Sequence, residues 1–461
     1  MVMKPSTKTF TVHTDYLFDS KKKAFVEDTS ITVDPETGLI TKVYQRKAAL
    51  PAETKEPDID LRGRCVLPGL VDAHTHILLH AYSETPSDYQ MRDESLVERV
   101  IRATNHCRAA LLAGYTTYRD LGTESAADAD VHIRDCINRG IIPGPRMYCA
   151  TECLASSGGY EIRHENKIGG QELPRISDPC DGPVGCRAGV RRRLGAGADV
   201  IKFYADYRKR ALRFPQGGWP GCPAIAFPPE QDILSGQRNP NLLLFQQDEM
   251  DAMVTEAKLA RAPVAAHASS AEAVRMAAKA GVTTVEHGFE PMKGTSAMQE
   301  MKDNGTIFVP TLAVLETALD TKQMKPILAQ VKEAFDKGIK LACGGDTGAF
   351  PHGDNAREIE LMLDAEVPLE EVLTAATLHG WKACGGDWCG KKFGCIGEGY
   401  AADIIALEGD VRKDLKALRR VDFVMKDAKV WKCNGEAVGM STIGETSACA
   451  PAADEGRAVT A

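Results

Sequence analysis

Long apolar stretches are missing from the chain: no run approaches the roughly 18–20 residues that a membrane span needs. An excess of positive charge is missing as well. Lys and Arg number 56 against 64 Asp and Glu, a formal net charge of −8, which leaves no electrostatic footprint for nucleic acid or an anionic membrane. The 14 cysteines contain no CxxC pair. Their local groups, Cys149/Cys153, Cys180/Cys186 and Cys384/Cys389/Cys395, fit no common zinc-ribbon spacing. They read as free, mostly buried thiols. The amino terminus carries Lys4 and Lys8 without an apolar core behind them, so no secretory signal is read there. A reducing, cytoplasmic setting is the expectation.

What is present is an ordinary globular composition, 43% hydrophobic and 26% charged, enough for a large core. At about 150 residues per domain, 461 residues allow three domains, but an α/β barrel uses about 250 in one. The first 65 residues read as short strands, 9–17, 30–33 and 39–44, with a turn at Asp34-Pro35-Glu36-Thr37-Gly38. From residue 66 to about 395 the texture becomes βαβ-like: apolar runs alternate with helix-periodic segments. Eight runs can be counted, at 69–76, 116–120, 146–151, 199–205, 263–268, 284–289, 307–312 and 340–346. Eight is the number that closes a (β/α)8 TIM barrel. Helices are expected at 94–113, 126–139, 189–195, 247–260, 270–280, 296–304, 327–337, 355–365 and 369–384. Strand texture returns at 402–407 and 421–432, so the two ends are expected to build one small β domain, residues 1–65 with 396–440. The barrel then takes 66–395, and the tail 441–461 is expected to be disordered. The long connections 152–187 and 206–246 lie on the face where barrel active sites sit.

The chemistry concentrates at strand ends. Asp72-Ala73-His74-Thr75-His76 closes the first run, and residues i and i+2 of a strand share a face, so both imidazoles project together. His267 and His287 end the fifth and sixth runs, and Asp346 ends the eighth. A carboxylate at the end of a buried strand is costly unless it is paired, hydrogen-bonded or bound to a metal. Lys202 lies in the apolar run Val200-Ile201-Lys202-Phe203-Tyr204, whose alternation points the amine inward. Burial disfavours its ammonium form, and a neutral amine can take up carbon dioxide to give a carbamate, a two-oxygen anion able to bridge two metals.

Gly69-Leu70-Val71-Asp72-Ala73-His74-Thr75-His76, Gly114-Tyr115-Thr116-Thr117, Ile201-Lys202, the His267 and His287 pair, and Gly345-Asp346-Thr347 together resemble the metal-dependent amidohydrolase superfamily. Within it the chain is similar to the branch of imidazolonepropionase-like proteins, prolidase-type dipeptidases and fungal ochratoxinase-like amidases, over about residues 9–435. The resemblance implies a (β/α)8 barrel with a β-sandwich built from both chain ends. It also implies a pair of divalent metals, zinc as the usual occupant. His74 and His76 would hold one ion, carboxylated Lys202 would bridge it to a second held by His267 and His287, and Asp346 would be both ligand and catalytic acid/base. The chain departs from the pattern at Ser269, where close relatives often carry a second histidine, and at Tyr204-Ala205-Asp206 after the lysine. Tyr160, Tyr204 and His352 are candidate substrate contacts. Arg163, Arg208, Arg210 and Arg213, with Phe214 and Trp219 nearby, are candidates in the long loops to meet a carboxylate and an apolar group.

The expected reaction is hydrolysis of an amide-type C–N bond in a dipeptide, N-acyl amino acid or similar small molecule by metal-activated water. A cyclic-amide hydrolase or deaminase of the same superfamily is the alternative. Deaminases of this kind carry a glutamate two or three residues after the strand-five histidine, where this chain has Ser269-Ser270. A decarboxylase or a non-catalytic binding protein ranks below these. The expected partner is a small-molecule substrate, with no nucleic acid and no membrane, and assembly into a homo-oligomer is left open.

Overall fold

The computed structural model describes residues 8–48, 50–51, 54–157, 159, 161–162, 175–206, 210–211 and 243–440. The chain starts with β1 (Phe10–Asp19), β2 (Ala24–Asp34), β3 (Leu39–Gln45), β4 (Ile59–Asp60) and β5 (Cys65–Pro68). The expected turn between β2 and β3 forms because Asp34 accepts from the Glu36 amide at 3.0 Å and the Thr37 hydroxyl at 2.8 Å, and Gly38 supplies φ 71°. β2 begins six residues before the expected start at 30, because Val26 pairs with Leu17 of β1. That pairing is tertiary and invisible in a short window.

The body follows with β6 (Leu70–Thr75), β7 (Tyr115–Asp120), β8 (Arg146–Cys149), β9 (Cys153–Ala155), β10 (Glu161–Ile162), β11 (Ser177–Pro179), β12 (Ile201–Tyr204), β13 (Arg210–Ala211), β14 (Val264–Ala268), β15 (Thr284–His287) and β16 (Ile307–Val309). Helices alternate with them, among them Leu96–Leu112, Ala129–Asn138, Gln247–Leu259, Ala271–Ala280 and Thr321–Asp336, so the body is α/β. The parallel strands fall into a three-stranded sheet, β6-β7-β8, and a six-stranded one, β11-β9-β12-β14-β15-β16. Two expectations change in detail. The third run, 146–151, breaks where Thr151 takes φ 62° and resumes as β9. The eighth, 340–346, is no strand: Leu341 and Thr347 make single bridges to Phe308 and Thr75. Asp346 takes φ 62° there, and a side chain on Gly344 would come within 2.7 Å of the His74 amide nitrogen, so close backbone approach replaces regular pleating. Backbone bonds still join this segment to both neighbours, from Ala73 N to Cys343 O at 2.8 Å and from Phe308 N to Lys340 O at 2.8 Å. The helix expected at 189–195 runs Gly182–Gly195, since Pro183 is tolerated in a first turn whose N–H groups need no helical partner.

β17 (Ile404–Leu407), β18 (Val421–Lys426), β19 (Lys429–Cys433) and β20 (Glu436–Ala437) bring the chain back to its start. The two ends share one nine-stranded sheet, in which β17 lies between β5 and β18. Alternate residues divide its faces. Val66, Ile404, Ala406, Phe423 and Met425 join a cluster with Val12, Leu17 and Ile31, while Leu67, Ile405 and Leu407 pack into the main core. Cys433 is disulfide-bonded, a departure from the all-thiol expectation; the remaining described cysteines are free and mostly buried. Among the described residues no helix is long and apolar enough to cross a membrane. The tail 441–461 lies outside the described residues.

The sheet is tied to the body by Arg146 at the start of β8. Its guanidinium donates to Asp403 at 2.8 Å, to Asp427 at 2.6 Å and to Thr117 at 3.0 Å, and the Asp403 side chain is 1% exposed. Removing one partner of a buried pair strands the other charge. Arg146→Met is therefore expected to destabilise the fold by about 3–5 kcal/mol in denaturant titrations.

Candidate metal centre

Four imidazoles meet where β6, β14 and β15 end. Ring centroids of His74 and His76 lie 5.4 Å apart, His74 and His287 4.9 Å, and His267 and His287 4.3 Å. Asp346 enters from the irregular eighth segment, its Oδ1 lying 3.1 Å from His76 Nε2 and 3.6 Å from His74 Nε2. Ligand atoms of His74, His287 and Asp346 all lie within 4.8 Å of one another. The i, i+2 expectation for His74 and His76 thus holds.

His287 arrives by a different route. In the parallel register His267 faces Glu286, and His287 is level with Ala268, so simple alternation puts Glu286 in the interior and His287 outside. A φ of 78° at His287 turns its ring into the cluster.

Each ring nitrogen on the far side of the cluster has a partner. His74 Nδ1 bonds Glu286 Oε2 at 2.9 Å, His76 Nδ1 donates to the Gly122 carbonyl at 2.8 Å, and His287 Nδ1 bonds the Thr311 hydroxyl at 2.8 Å. This leaves the Nε2 lone pairs of those three rings for the centre. His267 turns Nε2 toward the Ser269 hydroxyl at 3.2 Å, with Asp206 at 3.9 Å. Ser269, the departure from the family pattern, thus braces a ligand candidate.

Lys202 is 2% exposed, and its ammonium nitrogen has no hydrogen-bond partner among the described residues. Burial lowers its pKa against the opposing pull of Glu286. An amine carried inside with nothing to bond is a group awaiting a ligand or a chemical change. Burial, then the Lys202 charge, lowers His74 to about 4. Burial alone would also lower His76, yet its bond to Asp346 lifts it to about 9. Asp346 is pushed up by burial but held well below the usual carboxylate range by His74, His76 and Lys202. The donor set of imidazole nitrogens, one carboxylate and a deprotonatable amine fits a divalent ion.

The other candidates divide. The Tyr204 ring stands 5.1 Å from His267, and its hydroxyl donates to Glu124 at 3.0 Å, so it forms a wall of the centre. His352 stacks on His106 with centroids 4.3 Å apart, and its Nε2 meets the Leu79 carbonyl at 3.1 Å. Tyr160, Arg163, Arg208, Arg213, Phe214 and Trp219 lie outside the described residues, as does the side chain of Arg210.

Residues not singled out in the sequence support the centre from behind. Asp72 accepts from the His74 amide at 3.0 Å, Thr347 Oγ1 at 2.7 Å and Asn355 Nδ2 at 2.6 Å, binding the first strand to the Asp346 segment. Glu286 pairs with Arg119 at 2.9 Å, both fully buried. Burial raises the Glu286 carboxyl, but Arg119 and the His74 bond outweigh it and hold it at about 2. Charged residues within the apolar runs 116–120 and 284–289 were the available signal.

Alternating strands and helices carry imidazoles, a carboxylate and a buried amine gathered into one candidate metal centre. The amidohydrolase family model matches residues 65–438, and the chain belongs to that family. It is 28% identical over 404 residues to ochratoxinase of Aspergillus niger, covering 80% of this chain and 76% of that protein. It is 22% identical over 392 residues to imidazolonepropionase of Porphyromonas gingivalis, covering 80% and 81%. Among solved structures, a Xaa-Pro dipeptidase with methionine bound in its active site superposes with TM-score 0.72 at 28% identity, covering 92% of this chain and all of that one.

Proposed function

We propose that the chain is a binuclear metal-dependent amidohydrolase, built as a (β/α)8 barrel (66–395) beside a β-sandwich domain (1–65 with 396–440). The backbone bonds joining 340–347 to β6 and β16 support the barrel, and the separate apolar cluster of the nine-stranded sheet supports the second domain. The observation that carries the functional reading is the convergence of His74, His287 and Asp346 beside the unbonded amine of Lys202.

His74 and His76 would hold one ion and His267 and His287 the other. Lys202 would lie between them as a carbamate, its amine adding to the carbon of carbon dioxide and releasing a proton. Zinc suits a nitrogen and oxygen donor set with no redox demand. Bound divalent ions supply a lowered water pKa and polarise the scissile carbonyl. Asp346 takes the proton of the attacking water and returns it to the leaving nitrogen. Tyr204, whose ring stands 5.1 Å from His267, would meet a small substrate on that side. A linear amide, a dipeptide or an N-acyl amino acid, is favoured by the similarity to the Xaa-Pro dipeptidase at 28% identity.

Purified protein is expected to carry close to two divalent ions per chain by elemental analysis and to hydrolyse members of a panel of dipeptides, N-acyl amino acids and lactams. A reproducible absence of metal after supplementation would refute the site. Asp346→Asn should lower kcat by at least about 100-fold with an unchanged circular dichroism spectrum, and near-full turnover would remove Asp346 from the acid/base role. Lys202→Ala should lose one ion and recover part of it with a short carboxylic acid such as propionate. A variant that holds both ions as the native protein does would refute the carbamate.

A further inference from the structure

We propose that the fully buried Arg119–Glu286 pair is a positioning device that sets the orientation and donor strength of His74, and so the affinity of the ion held by His74 and His76. The inference rests on the two-metal reading above.

Glu286 is fixed from three sides. One oxygen meets His74 Nδ1 at 2.9 Å, and the other accepts from Arg119 Nη2 at 2.9 Å and from the Thr284 hydroxyl. Arg119 in turn crosses the interior from β7. Its Nε donates to the Ala73 carbonyl at 2.6 Å, and its Nη1 to Thr284 Oγ1 at 2.9 Å and to the Ala383 carbonyl at 3.1 Å. The bonds form a closed circuit: Arg119 holds the backbone one residue before His74, and through Glu286 it holds the ring of His74 as well. The ligand is gripped at both ends.

Stability does not account for this arrangement. Two charged side chains that are both 0% exposed carry a desolvation penalty that their attraction barely offsets, and apolar residues of similar volume commonly do as well or better. What an apolar pair cannot do is accept the Nδ1 proton. An accepting carboxylate fixes the tautomer that leaves Nε2 as the ligand and makes that nitrogen a stronger donor. The comparison lies within the same centre, because His76 and His287 rest on neutral groups, the Gly122 carbonyl and the Thr311 hydroxyl. Asp206, the carboxylate nearest His267, stands at 3.9 Å, beyond hydrogen-bond reach. Behind His74 a carboxylate stands at hydrogen-bond distance, 2.9 Å from Nδ1. Removing it should affect one ion and spare the other.

The test compares native protein, Glu286→Gln and the double variant Arg119→Met/Glu286→Leu, all full length and zinc-loaded. Each is challenged with graded chelator while retained zinc and melting temperature are followed. Glu286→Gln, nearly isosteric, is expected to lose one of the two ions at roughly 10- to 100-fold lower chelator concentration with the second ion unmoved. The double variant should melt close to the native protein and still lose the same ion early. A double variant that retains both ions as the native protein does overturns the proposal, as does ion loss that simply follows melting temperature across the set. Should the double variant not fold, Glu286→Gln decides alone, and native retention of both ions in it overturns the proposal. Native protein that takes up no zinc refutes the two-metal reading and this inference with it. Two ions in the native protein and an insensitive Glu286→Gln refute this inference only.

Discussion

A charged or polar group taken out of water must find its partner inside the protein, and the centre of this molecule is arranged around that demand. His74, His76, His267, His287 and Lys202 are all less than 10% exposed. Three of the rings settle one nitrogen on a fixed partner and turn the other inward. The result is a set of ring nitrogens whose directions are fixed by the protein itself. Asp346 and Lys202 complete the set with one group held anionic and one held toward neutrality. Asp72, with Thr347 and Asn355, ties the first strand to the Asp346 segment.

The same requirement explains where the backbone departs from regular geometry. Glu124, Thr151, His287, Thr311 and Asp346 all have φ between 49° and 78°, and all stand at or beyond the carboxyl ends of the parallel strands. Such conformations cost about 1–3 kcal/mol each in residues other than glycine. At His287 the cost brings in a ring that alternation alone would leave outside; at Thr311 it places the hydroxyl that holds that ring; at Asp346 it lifts the carboxylate out of the pleat. Tight contact substitutes for side chains at Gly344, where β6 passes too near for a Cβ.

Much of this was legible in the sequence because histidine, aspartate and lysine are conspicuous at the ends of apolar runs. His74, His76, His267, His287, Asp346 and Lys202 could be picked out by residue type and position alone. Glu286 and Arg119 stood out only as charges within apolar runs, because their pairing depends on which strand lies beside which and in what register, and a one-dimensional pattern does not contain that. The eighth run was legible as a crossing of the sheet but not as an irregular one, since Gly344-Gly345-Asp346 signals departure from a strand without saying how the departure is bonded. His352 followed Asp346 closely enough in sequence to suggest a substrate contact, whereas the stack on His106 gives it a different neighbour. The early start of β2 escaped because it depends on a partner strand rather than on local composition.

The placement of β17 bears on how the molecule comes into being. It sits between β5 and β18, so the nine-stranded sheet cannot close until residues some 340 positions downstream of β5 have been synthesised. During translation the first five strands must wait with an open edge at Cys65–Pro68 while the α/β body emerges and folds beside them. Until then the edge at β5 is the surface that a chaperone or a misplaced strand would reach first.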